Sequence, residues 1–158
     1  DVIAAEDDEL SIRLRSAGWG IWRLDADMTS HDAAMYHLGQ WWRRSKRCGY
    51  AYALGASMHG HTQEKHFVWQ TWRAWLWGLI LPIACFIAIV LNQRWGWVLV
   101  FVYPAQVIRQ TIRNRGSWRK RLQLAFFQTL SRFPEAVGQI RFWRDRIMGN
   151  HAHIIEYK

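Results

Sequence analysis

The sequence predicts a mainly α-helical protein built around an apolar hairpin, on three observations. Residues 74 to 91, AWLWGLILPIACFIAIVL, are eighteen consecutive uncharged and mostly apolar positions, enough to cross most of a bilayer at about 1.5 Å per residue. A second apolar run, WGWVLVFVYPAQVI over 95 to 108, follows a short interruption. The segments on either side, 33 to 60 and 117 to 149, space their apolar residues for helices rather than strands.

Composition supports a membrane location. The chain holds 12 tryptophans in 158 residues, and tryptophan gathers in deep cores, on carbohydrate platforms and at the membrane interface, where an apolar body and a polar N–H both find partners. Trp69, Trp72, Trp75, Trp77, Trp95, Trp97 and Trp118 surround the apolar region. The rival is a buried hairpin in a large soluble core, but tryptophan at the edges with Lys and Arg just beyond favours the bilayer. With Pro104 and Gln106 inside it, the second run is either a tilted second span or a re-entrant segment. If both runs cross, the linker with its single Arg94 lies outside and both basic flanks face the cytoplasm.

The net charge of +9 and pI of 10.3 fit nucleic acid, anionic lipid or a phosphate-bearing substrate. Position decides among them: acid concentrates in residues 1 to 32, and basic residues cluster at 43 to 47 and 109 to 121, flanking the apolar stretch. No zinc knuckle, aromatic RNA-binding strand or helix-turn-helix spacing accompanies them, so nucleic acid is not the expected partner. Cys48 and Cys85 do not make a disulfide framework. The chain opens in mid-pattern on DVIAAEDDEL, without an initiator Met, and is expected to be the C-terminal piece of a longer protein.

Residues 8 to 17 read as a short helix closed by Gly18. WGIWRLD alternates like a short strand, and ADMTSHD is a polar loop. From Ala33 to Gly60 a helix carries Gln40, Arg43, Arg44 and Arg47 on one side, and a stripe with Ser45, Gly49, Ala53 and Ala56 suited to close packing on the other. HGHTQEKH breaks it; its three histidines lack a fourth ligand and a zinc-site spacing. After the hairpin, Leu122, Phe126, Phe127 and Leu130 oppose Arg119, Lys120 and Arg121, an interfacial pattern, and Pro134 opens a further helix.

The acidic quartet Glu6, Asp7, Asp8 and Glu9 has two readings. Acid at a helix N-terminus is stabilising by roughly 0.3–1 kcal/mol per residue. Crowded carboxylates also raise one another's pKa toward the range useful to a general base.

The stretch EDDELSIRLRSAGWGIWRLDADMTSHDAAM, followed by GQWWRRSKRCGYAYALGA, resembles the second half of bacterial family 2 glycosyltransferases of the GT-A fold. FPEAVGQIRFW and IIEYK resemble the tail of membrane-attached members, so the likeness spans nearly the whole chain. It implies that Asp7 is the base that deprotonates the acceptor hydroxyl, with Glu6 as its motif partner. In the processive branch a QxxRW motif follows the base. Here Gln40, Trp41, Trp42 and Arg43 match Q-x-x-R, whereas Arg44 stands where the final Trp belongs, so processivity is not implied. Arginine would offset charge on a departing diphosphate, and tryptophan would stack on a sugar face. His31 falls where some members place a histidine near the metal or diphosphate. DAD at 25 to 27 mimics the family's metal-binding DxD but lies downstream of the base, so the Mg²⁺ or Mn²⁺ implied by the family is expected on residues ahead of Asp1.

The expected organisation is the C-terminal acceptor part of an α/β GT-A domain over 1–60, a membrane hairpin over 67–110, and amphipathic interfacial helices with a tail over 111–158. The expected partners are a nucleotide-sugar, a glycan or lipid-linked acceptor and membrane lipid, at a bacterial inner membrane with the catalytic part cytoplasmic. Without the resemblance, the residues equally describe a non-catalytic anchor or interaction subunit that binds anionic lipid.

Overall fold

The computed structural model describes residues 6–22, 25, 35–62, 65–91 and 95–149. Of these, 80% are helical and none lies in a strand. Helix α1 (Glu6–Ser16) takes in the acidic quartet and buries Ile12. It ends in a Schellman turn: Trp19 N–H donates to the Leu14 carbonyl and Gly18 N–H to that of Arg15, each at 3.0 Å. The motif requires a left-handed residue, and Gly18 supplies it at φ 87.

The strand expected just beyond is not formed where the chain is described. Residues 19–22 are irregular and exposed, Trp22 by 90%, while Arg23 and Leu24 lie outside the described residues. Alternation makes a strand only when a neighbour accepts its ladder bonds, and no described residue supplies one.

Helix α2 (Leu38–His59) starts later than the spacing suggests. The Gln40 side chain sets that start, its Oε1 accepting from Tyr36 N–H at 3.0 Å and His37 N–H at 3.2 Å, which ties down two donors no helical carbonyl would reach. A turn with Lys65 and Phe67 at positive φ leads into α3 (Val68–Trp75), a π-helical turn (Leu76–Ile80) and α4 (Leu81–Val90). Together these form one continuous helix, Val68–Val90, with a mean hydropathy of 2.0, long and apolar enough to cross a membrane. It begins six residues before the apolar run and so brings Arg73 into the helix. Only 11% of its most apolar window is buried, where a core helix would be mostly buried.

Helices α5 (Trp95–Val100) and α6 (Val102–Arg113) run back antiparallel to it. A Cβ on Gly96 would press on the backbone of Ala88 and Ile89, and Tyr103 Oη donates to the Trp77 carbonyl at 2.6 Å. The second run is therefore helical but broken at Phe101; among the described residues only Val68–Val90 has the length and hydropathy of a span.

Helix α7 (Trp118–Leu130) folds back on α6, with Gln110 Nε2 donating to Thr129 Oγ1 at 3.3 Å. The packed face is the small one, Ala125 and Thr129, which leaves most of the large apolar face outward, where the interfacial pattern put it. Leu122 and Phe126, one turn apart, stay exposed.

Helix α8 (Arg132–Ile147) packs along α2 in the largest helix contact of the fold. A Cβ on Gly49 would overlap the backbone of Glu135, and one on Gly138 would overlap the Lys46 carbonyl. Glycine on both sides therefore lets the two backbones touch, flanked by buried Ser45 and Ala53 on α2 and Phe142 on α8. The start of α8 rests on the π turn in the same way, because a Cβ on Gly78 would overlap the Arg132 carbonyl.

Gly138→Leu is expected to force α2 and α8 apart at a cost of about 3 kcal/mol. Gly39→Ala, at a position with open space around it, should be neutral or slightly stabilising. Thermal unfolding of the detergent-purified protein checks both.

Candidate functional site

Two constellations carry chemistry, one anticipated from the sequence and one not. In the first, Glu6 and Asp7 form the opening turn of α1, while their side chains, and the whole of His31, lie outside what the structure describes. Asp8 is exposed. Gln40, Trp41, Trp42, Arg43 and Arg44 occupy the first two turns of α2. At 100° per residue they cannot share one face. Arg43 and Arg44 are exposed, whereas Trp41 meets Phe127 of α7 edge-on at 5.4 Å and Trp42 at 6.4 Å. Gln40 spends its carboxamide oxygen on the helix start. None of the substantial helix contacts joins α1 to α2.

The second constellation is a cleft of about 670 Å³ between α3, α6 and the α7–α8 corner. Four arginines line it: Arg73 from α3, Arg109 and Arg113 from α6, and Arg132 from α8. Trp69, Trp72 and Trp77 supply aromatic wall, and Gln106, Gln110, Asn114 and Gln128 supply carboxamides. Among the described residues no carboxylate lines it. Sequence reasoning missed this site because its cations come from three helices far apart in the chain. One signal was available: Gln106, Arg109, Gln110 and Arg113 form a polar stripe at helical spacing that continues directly from an apolar run.

No family model matches the chain, and no curated protein or solved structure matches it significantly.

Behind the cleft lies a buried ion pair. Arg132 Nη1 donates to Glu135 Oε2 at 2.7 Å, and Ser131 Oγ donates to Glu135 Oε1 at 2.9 Å. Burial nevertheless pushes the Glu135 pKa up, outweighing the Arg132 guanidinium and the two hydrogen bonds that pull it down. Burial also lifts the Tyr52 phenol to about 12 and raises the Cys48 thiol, with Glu135 adding to both. Cys48 is thus held protonated and is a poor nucleophile. Among the described residues no group of three His, Cys, Asp or Glu side chains could hold a metal ion, and the His66 ring packs on Phe67 with centroids 3.8 Å apart.

The direction at Glu135 sets a pH dependence. A carboxyl raised above its ordinary 4.5 contributes its full stability below that pH and loses it as pH rises through the folded value. Glu135→Gln removes the titration, so the stability of the native protein relative to this variant should fall as pH climbs from 4.5 toward neutral. Denaturant unfolding of both proteins across that range checks it; a rise would mean that the Arg132 pair outweighs burial.

Proposed function

We propose that this chain is the C-terminal part of a bacterial inner-membrane family 2 glycosyltransferase, which transfers a sugar with inversion from a nucleotide-sugar to a hydroxyl of a glycan or lipid-linked acceptor. The observation that carries the reading is local. The Glu6–Asp7 pair opens a helix whose RLRSAG segment ends on a left-handed glycine, the conformation that a glycine at the end of the family's motif would serve. The Val68–Val90 helix, long and apolar enough to anchor the chain, is the second support.

In this reading the Asp7 carboxylate accepts the proton of the acceptor hydroxyl as its oxygen attacks the anomeric carbon, and the bond to the nucleoside diphosphate breaks on the opposite side. Arg43 and Arg44, exposed on α2, offset charge on the leaving diphosphate. Trp42, exposed on the same helix, offers a face to a sugar ring. In the family the nucleotide-binding strands and the DxD motif, which would hold Mg²⁺ or Mn²⁺, lie ahead of the base motif, so the tests of this reading use the complete polypeptide.

A second reading, a non-catalytic membrane anchor or interaction subunit that binds anionic lipid, draws on the structural duties of two motif residues. Gln40 caps α2 and Trp41 packs on Phe127.

In the complete polypeptide, Asp7→Asn should lower sugar transfer by about 10²–10⁴-fold while nucleotide-sugar affinity stays nearly unchanged. Retained turnover would remove Asp7 from this role. Arg43→Ala should lower the rate or weaken nucleoside diphosphate binding in the same steady-state assay, and unchanged kinetics would favour the anchor.

A further inference from the structure

The cleft beside the apolar helix carries an inference that does not depend on sugar transfer. Arg73, Arg109 and Arg113 converge on it, and among the described residues no carboxylate lies within ion-pair distance of any of them. Arg109 and Arg113 stand one turn apart on α6, a spacing at which like charges repel. Arg132 is paired with buried Glu135, which also acts electrostatically on Arg73 from beyond ion-pair distance, so the least balanced charges are those of Arg109 and Arg113. A cleft with unbalanced cations and carboxamide donors is completed by an anion that accepts several hydrogen bonds, and a phosphate suits arginine forks.

The surroundings define what carries the phosphate. Trp69 and Trp72 are exposed at the rim, at the end of the apolar helix where tryptophan marks the headgroup level. Leu76 lines the cleft, and Ile80, Ile83 and Ile87 continue from it along the helix at intervals of three and four residues, all exposed. A polar, cationic pocket thus opens onto an unpartnered aliphatic rail. We propose that the cleft binds the phosphate headgroup of an anionic lipid, with the lipid chains lying along that rail.

The test uses the full chain in neutral detergent, read by tryptophan fluorescence. Dioctanoyl phosphatidic acid, dioctanoyl phosphatidylcholine and inorganic phosphate are titrated separately. The proposal expects a saturable response to phosphatidic acid, none to phosphatidylcholine, and a response to inorganic phosphate only at concentrations at least about 100-fold higher, because the free ion lacks the chains. The double variant R109Q/R113Q, at two exposed positions, should weaken phosphatidic acid binding at least about tenfold. R119Q/K120Q on α7, outside the cleft, should leave it unchanged. Equal affinity for inorganic phosphate and phosphatidic acid would overturn the lipid assignment in favour of a free phosphate site. Unweakened binding by R109Q/R113Q, or equal weakening by R119Q/K120Q, would overturn the site itself, leaving diffuse attraction between a basic protein and an anionic amphiphile.

Discussion

Gly49 and Gly138 meet each other's helix backbones where α2 packs on α8, and the placing of the apolar helix against both depends on how closely those helices approach. Packing this close gains contacts along the whole crossing and leaves no room for a side chain on either side. The same device repeats at Gly78, where the π turn receives the start of α8. Helix α8 is thus clamped between the basic helix α2 and the apolar helix that follows it. Hydrogen bonds reinforce the clamp: Gln139 Nε2 donates to the Thr71 carbonyl at 3.3 Å, and Thr71 Oγ1 donates to the Tyr52 carbonyl at 3.1 Å. The arginine stripe of α2 is in this way held at a set place relative to the helix that can enter a membrane.

The clamp has an electrostatic cost. Closing α2 onto α8 buries Glu135, and a buried carboxylate loses more hydration than one arginine returns. Its pairing with Arg132 nonetheless decides which way that guanidinium turns. Arg132 is tied to Glu135, which also acts on Arg73, so Arg109 and Arg113 are the cleft's least balanced cations. A core contact between two helices therefore shapes the charge of a surface site on a third.

Local signals in the sequence were faithful where structure is local. The cap at Gly18, the small-residue stripe through Ser45, Gly49 and Ala53, the apolar run, and the helix started near Pro134 all appear as the spacing predicts. The strand failed for a physical reason: alternation is local, whereas a strand exists only with a partner. The later start of α2 was hidden because a glutamine three residues into a helix reads as an ordinary helix former until its side chain is seen capping. Gly138 as the partner of Gly49, and the gathering of Arg73, Arg109, Arg113 and Arg132, were not legible because each depends on contacts between distant parts of the chain. Of the motif residues, Gln40 and Trp41 turned out to have structural work, which no single-sequence pattern separates from ligand binding.

The account joins a motif-bearing acidic helix, a basic helix and a helix fit for a bilayer into one proposed machine for moving a sugar at a membrane surface. Its most direct measurement is made on native membranes that contain the complete polypeptide, which supply their own acceptor, offered a panel of radiolabelled nucleotide-sugars. The account predicts that label from at least one donor enters a glycan or lipid-linked fraction, and that membranes lacking the polypeptide do not incorporate it. Equal incorporation with and without the polypeptide, across every donor, would contradict it.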